Sequence, residues 1–459
     1  MNTFRYPPVK LHNLPLWSIL ILYFITILIP PNLITSQTLH WRNHLIHLSH
    51  ILYIGVIGFA VLASFLEGHR IDIQKDMILL LLTAVWLMAW YHSVDRKVSL
   101  QSTLSLLLKG PAVGWVILKN VQRFRQAALV WHGLLIGILL AAAIGLLGLA
   151  LASYNLPFPI AIGGRLEGTL GHPLPLGTLL VFGLALVITS FPRFPAFRVP
   201  STTLLMLALF LTISRSSWGI ALVVLFALAV SLPEARPLLK KTFIPALFYC
   251  AFLIPILLWV NHSFSSDYKA NAAQRLSFLS TSERKAPSPN SVPMNHSEPP
   301  NPPAIPKQPI AHAVGKQHRI AAYGIVVKMW RARPLLGWGL GTLPQLYTRY
   351  APPEDFDQYL TPDNMYLRLL SESGLVGLLT CFILLGSWLR ASLAALDKDP
   401  PNQKVPRKAL IIATTGILLN SLFFDSFYWN SVFLTLSISM ALTASPWYPN
   451  NHHFVDNAC

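Results

Sequence analysis

VPSTTLLMLALFLTISRSSWGIALVVLFALAVSL (199–232) is two apolar runs separated by a single charge, Arg215. A helix needs about 20 apolar residues to cross the hydrocarbon core of a bilayer. Each run is slightly short of that and holds no other charge. The pair therefore reads as a tight hairpin of two membrane-spanning helices with a charged tip.

The pattern repeats outward from this hairpin. The expected spans lie near 14–34, 44–66, 77–92, 99–118, 129–152, 174–191, 199–214, 216–232, 242–262, 373–392, 408–425 and 428–446, twelve in all. The fourth contains Lys109, Gly110 and Pro111, which weaken it as a continuous helix. The first, from Leu14, has no small-residue cleavage site after it and is expected to be a retained span. Composition agrees. Of 459 residues, 53 % are hydrophobic and 12 % charged, whereas soluble domains carry about 25 % charged residues. A soluble enzyme, a disordered chain and a fibrous repeat are excluded. The expected fold class is an all-α polytopic membrane protein with about 12 transmembrane helices and one long periplasmic loop containing short helices.

The net charge of +17 comes from 35 Lys and Arg against 18 Asp and Glu. In a soluble chain that surplus points to nucleic acid; in a membrane protein it belongs to cytoplasmic loops, and no nucleic-acid partner is expected. With the N-terminus inside, the short inner segments hold sixteen Lys and Arg. The outer ones hold five: Arg42, Arg96, Lys97, Arg165 and Arg215. Both termini are then cytoplasmic. Three cysteines, Cys250, Cys381 and Cys459, make no disulfide framework.

This orientation divides the chain into residues 1–262 with helices 1–9, an outer loop 263–372, and 373–459 with helices 10–12 and a cytoplasmic tail. Within the loop, 280–310 holds nine prolines and reads as a flexible tether. QHRIAAYGIVVKMWRARP then reads as one helix over 318–333, ended by Pro334. Arg319, Tyr323, Val326 and Trp330 share one side of it, which suits a helix lying at the membrane interface. GWGLG (337–341) is a glycine-rich turn. TPDNMYLRLLSESG starts a further helix, with Thr361 as N-cap and Pro362 at its first position.

Each cation on the outer side needs a reason. Arg215 sits among Ser214, Ser216 and Ser217; Arg165 lies in GGRLEGTLGHP; Arg319 opens the loop helix. The plainer readings are a snorkelling charge at 215, a loop charge paired with Glu167 at 165, and a solvated charge at 319. Taken together, guanidinium forks grip phosphate oxygens in a bidentate way at any relevant pH. Three at one lip of a bundle would hold a diphosphate and stabilise charge on a leaving group. A sugar hydroxyl acting as nucleophile also calls for a base. Asp363, His318 and His172 are the candidates, although Asp363 also suits the first turn of a helix and His172 the turn before Pro173. Asp425 reads as a helix-end polar group. No HExxH motif marks a metal site, and neither metal nor cofactor is expected.

Three blocks resemble the O-antigen ligase and polymerase superfamily of bacterial membrane glycosyltransferases: GRLEGTLGHPLPLG (164–177), SRSSWGIALVVL (214–225), and HRIAAYGIVVKMWRARPLLGWGLGTLPQLY with the following DNMYLRLLSESGLVGLL. Ligases of this group show His-Asn, nine residues, then Gly-x-x-Gly. Here Asp363-Asn364 stands at that spacing before Gly374 and Gly377, with aspartate in place of histidine. The resemblance implies an undecaprenyl-diphosphate-linked glycan as donor and metal-independent, inverting transfer at the periplasmic face of the bacterial inner membrane. It implies that Arg215 and Arg319, with Arg165 as a third, bind the diphosphate. Asp363, or otherwise His318, would act as base, and Asn364 would hold a sugar hydroxyl. The acceptor taken first is lipid A–core, as in lipopolysaccharide biosynthesis. A growing polysaccharide or a protein acceptor uses the same scaffold. A transporter of lipid-linked sugars is the rival class; it predicts ionisable residues deep in several spans, where only Lys109 stands out.

Overall fold

The computed structural model describes residues 13–29, 38–41, 44–150, 161–162, 165–190, 195–233, 235–260, 316–351 and 362–448. The tether at 280–310, Thr361 and the tail beyond 448 lie outside the described residues. The chain is an all-α membrane protein. Its helices are α1 (Leu14–Leu28), α2 (Leu48–Leu66), α3 (Ile73–Tyr91), α4 (Arg96–Leu107), α5 (Val113–Asn120), α6 (Phe124–Ala150), α7 (Pro173–Ser190) and α8 (Pro195–Leu211). They continue with α9 (Arg215–Ser231), α10 (Ala235–Val260), α11 (Lys316–Ala332), α12 (Leu343–Tyr350), α13 (Met365–Lys398), α14 (Pro401–Asn420) and α15 (Asn430–Ala444). Two short hairpins, Thr38–Trp41 with His44–His47 and Ala161–Ile162 with Arg165–Leu166, are the only strands among the described residues.

Among the described residues, 3 helices are long and apolar enough to cross a membrane: Phe124–Leu149, Arg236–Leu257 and Met365–Lys398. Seven shorter apolar helices join them. The expected hairpin at 199–232 is present, with the break at Thr212–Ser214. Ser214 caps α9 by accepting from the Ser217 amide. The expected fourth span is not one α-helix. At Leu108–Ala112 the chain widens into a π-helical turn, and the Val113 amide reaches back to the Leu108 carbonyl. Pro111 explains this, because it carries no N–H and its ring crowds the preceding turn.

The helices close on one another through small residues, as expected where lipid supplies no hydrophobic drive between helices. Gly177 of α7 meets Ser217 of α9, and Gly416 of α14 meets Val224 of α9. The resulting core runs from Leu16 on α1 to Leu442 on α15.

The segment 316–351 builds a smaller core of its own. Ala322, Ile325, Val326 and Met329 of α11 pack with Trp338, Leu343, Leu346 and Tyr347. This buried face shares Val326 with the stripe expected from sequence and turns Tyr323 and Trp330 partly outward. The segment is attached where α13 breaks. Gly374 has φ 67° and ψ −168° inside that helix, a region that glycine alone occupies at low cost. The break frees backbone groups that the glycine-rich turn takes up. The Leu375 amide donates to the Pro334 carbonyl (2.8 Å), Val376 to Leu335 (3.1 Å), and Gly339 in return to Glu372 (2.8 Å).

One boundary needs correction. Asn364, not Thr361, caps α13, its side chain accepting from the Leu367 amide at 3.0 Å. Pro362 and Asp363 therefore precede the helix. Asparagine is as good a cap as threonine or better, and it lies directly before the apolar run.

Candidate active site

Arg215 is the first residue of α9 and is exposed. The residue two before it, Ile213, has φ 48°, a conformation in which a β-branched side chain is an outlier. Arg165 reaches the same turn from the connection between α6 and α7, its Nε donating to the Thr212 carbonyl at 3.1 Å. Two of the expected cations are thus brought to one turn. Glu167, two residues on from Arg165, is buried, and burial pushes its carboxyl up to about 7 while the charge of Arg165 pulls the other way.

The ends of three further helices are linked to this turn through a chain of contacts. Gly177 lies against Ser214 and Ser217. Thr178 Oγ1 accepts from Asn420 Nδ2 at 2.5 Å. The Met365 amide donates to the Ser421 carbonyl at 3.0 Å, and Asn364 Nδ2 to the Leu422 carbonyl at 3.0 Å. Asp363 and Asn364 therefore stand beside the end of α14, which is bound to α7, which abuts α9. Asp363 has φ 41°. With Ile213 it is one of two non-glycine residues of positive φ among the described residues. One precedes the candidate cation Arg215, and the other is itself a candidate base. Strained backbone concentrates at functional sites, where the surroundings hold it in place. His172 precedes α7; its Nδ1 accepts from the Leu174 amide at 3.2 Å and its ring lies 5.2 Å from that of Trp429. His318 and Arg319 occupy the first turn of α11, and their side chains lie outside the described residues.

Next to Asp363 is a buried charge cluster that the sequence reading did not assemble. Arg368 Nε donates to Glu372 Oε1 at 3.2 Å and its Nη1 to Asp425 Oδ2 at 2.9 Å. Its guanidinium lies 3.5 Å from the centre of the Tyr428 ring, and the Tyr428 hydroxyl donates to Glu372. Glu372 also accepts the Gly341 and Leu343 amides at 2.8 and 3.2 Å. Burial pushes the Asp425 carboxyl above the ordinary range, Arg368 opposes this, and the charge of Asp363 adds to it. The spacing Arg368–x3–Glu372 in LRLLSE is a helical pair visible in sequence. The link to Asp425, 57 residues on, is not.

Residues 200–382 match the family model Wzy_C, described as O-antigen ligase. The match supports the O-antigen ligase superfamily for this part of the chain. The matched stretch holds Arg215, Asp363, Asn364, Arg368 and Glu372, so most of the geometry above falls within it. Arg165 and Asp425 lie outside that stretch and touch it from either side. A comparison with curated proteins found no match.

Proposed function

We propose that this protein transfers a glycan from an undecaprenyl-diphosphate carrier to an acceptor hydroxyl, with lipid A–core as the acceptor, at the periplasmic face of the bacterial inner membrane. One observation carries the reading: the Arg165 guanidinium is bonded to the turn that ends in Arg215, within reach of the segment matched to the ligase family. Arg215 and Arg165, with Arg319 from the loop helix, hold the two phosphates. The acceptor oxygen attacks the anomeric carbon opposite the diphosphate. The new C–O bond forms as the old one breaks, and the bonding pair leaves on the lipid diphosphate, whose charge the arginines meet. Asp363, or His318 in its place, takes the acceptor proton. Asn364 caps α13 and positions Asp363. His172 lines the donor side from the start of α7. This step is an inversion and needs no metal ion.

The test is complementation of a deletion strain. Wild type restores polymer-bearing lipopolysaccharide, whereas Arg215→Ala at equal membrane level lowers transfer by about 100-fold or more, the usual effect of removing one preorganised charge-stabilising group. A normal ladder in that variant sinks the assignment. Single capped repeats in the deletion strain move the acceptor to a growing polysaccharide.

A further inference from the structure

Two outer cations, Arg96 and Lys97, have no part in the diphosphate clamp. They open α4, directly after the turn that ends α3. On that turn rests the glycine-rich segment. The Val94 amide donates to the Trp338 carbonyl at 3.2 Å, and Ser93 Oγ donates to the same oxygen at 3.2 Å. Gly339 and Gly341 sit so close to Ser93 and Ser102 that any side chain there would collide. The two layers are thus held rigidly, and between them opens a cavity of about 540 Å³. Its wall takes Asp95, Arg96 and Lys97 from the lower layer, and Gln345 and Arg349 from α12 above.

The charge of this cavity is predominantly positive, three cations against Asp95. Asp95 Oδ1 is occupied by the Lys97 and Val98 amides, at 3.0 and 3.1 Å, as the cap of α4. Arg96, Lys97 and Arg349 have no carboxylate within ion-pair distance among the described residues. The Tyr91 ring, 5.2 Å from the Arg96 guanidinium, fixes that side chain from behind. Three cations from two elements line an open cavity of sugar size, with only two aliphatic side chains in its lining. An acyl chain finds no purchase there, which favours a hydrated ligand over a lipid headgroup. The cavity is also tied to the candidate active site: Glu372 holds the amides of Gly341 and Leu343, just before Gln345, and shares Arg368 with Asp425.

We infer that this cavity is a subsite for an anionic group, phosphate or carboxylate, carried by the acceptor saccharide. The inference rests on the glycan-transfer reading above and adds where the acceptor is held and what part of it is recognised. The three cations orient the acceptor from a distance while its hydroxyl enters the site beside Asp363. Charge recognition of this kind weakens with salt.

The experiment uses the full chain in phosphatidylcholine nanodiscs. The probes are a delipidated, phosphorylated core oligosaccharide and the same oligosaccharide after chemical dephosphorylation. Wild type is expected to bind the phosphorylated form at least tenfold more tightly at low salt. The triple variant Arg96→Gln, Lys97→Gln, Arg349→Gln loses that preference, while Arg215→Ala keeps it. All three side chains are exposed, so the variant retains the wild-type melting temperature. Equal binding of the two probes by wild type, or an unchanged preference in the triple variant, overturns the inference. So does a preference abolished by adding phosphatidylglycerol that only wild type retains, since this assigns the cavity to lipid headgroups. Failure of the transfer reading is separate: it appears as normal ligation by Arg215→Ala and leaves the binding comparison unaltered.

Discussion

Glu167 shows how one side chain at the lip responds to its surroundings. Its Oε2 is buried with no hydrogen-bond partner among the described residues, and burial favours the neutral acid. The unfolded chain gives up this proton from its ordinary 4.5 upward, whereas the folded chain does so only near about 7. The contribution to stability is therefore fully present below pH 4.5 and lost as pH rises through 7. Thermal unfolding in detergent should show a melting temperature that falls across this window, and Glu167→Gln should flatten it; an equal slope in the variant would contradict the account. Sequence alone suggested a Glu167–Arg165 pair but not the burial that decides its sign. At the same scale, the serine cap before Arg215 was legible. Asp363 was misplaced because a proline after a threonine is a strong helix-start signal, and it outweighed the asparagine three residues later. Arg368 with Asp425 was illegible, since nothing local joins residues 57 positions apart.

At the scale of elements, α13 carries the most consequence. The expected boundary between loop and span fell at 372–373, and the helix breaks at Gly374, one residue further on. What the sequence could not announce is that the chain stays helical on both sides, and that the freed backbone groups pair with residues 334–339. A glycine in a helical pattern does not by itself declare a kink. Gly374→Ala places a side chain in a glycine-only conformation and against the Leu335 carbonyl. The expected cost is about 3 kcal/mol or more, combining backbone strain with that collision. It should show as early protease cleavage within 316–351 while α14 and α15 stay protected. Wild-type protease resistance would mean that the turn and the helix do not depend on each other. The π-turn at Leu108–Ala112 was half legible: Gly110-Pro111 announced a disturbance but not its form. The turn leaves Lys109 bonded to Ser105 and Asn430 and 4.4 Å from the Tyr53 ring.

Across the whole molecule, buried ion pairs gather towards the two ends of the bundle. One end holds Arg368, Glu372 and Asp425. The other holds Arg407, bonded through two nitrogens to Asp399 at 2.5 and 3.0 Å and stacked 3.7 Å from the Trp447 ring. Lys119 meets Asp76 at 3.0 Å. Such pairs are costly to break from one side, because the partner is left as a lone buried charge. In the orientation expected from the Lys and Arg count in short segments, the first end is external and the second internal. Single cysteines in a background lacking Cys250, Cys381 and Cys459 check this. In intact spheroplasts a membrane-impermeant maleimide should label Gln345→Cys, and Asn402→Cys only after lysis. The reverse pattern would invert the orientation and place the arginine turn on the wrong side for a lipid-linked donor.

The lock between the glycine-rich turn and the kinked helix also sets an order of biogenesis. Residues 334–339 leave the ribosome before the carbonyls and amides at 371–376 that will receive them. The earlier segment must therefore wait, these backbone groups unpaired, until the next stretch is made. Maturation of segment 316–351 is thereby tied to completion of α13, and a chain stalled before residue 376 carries that segment with nothing to fasten it.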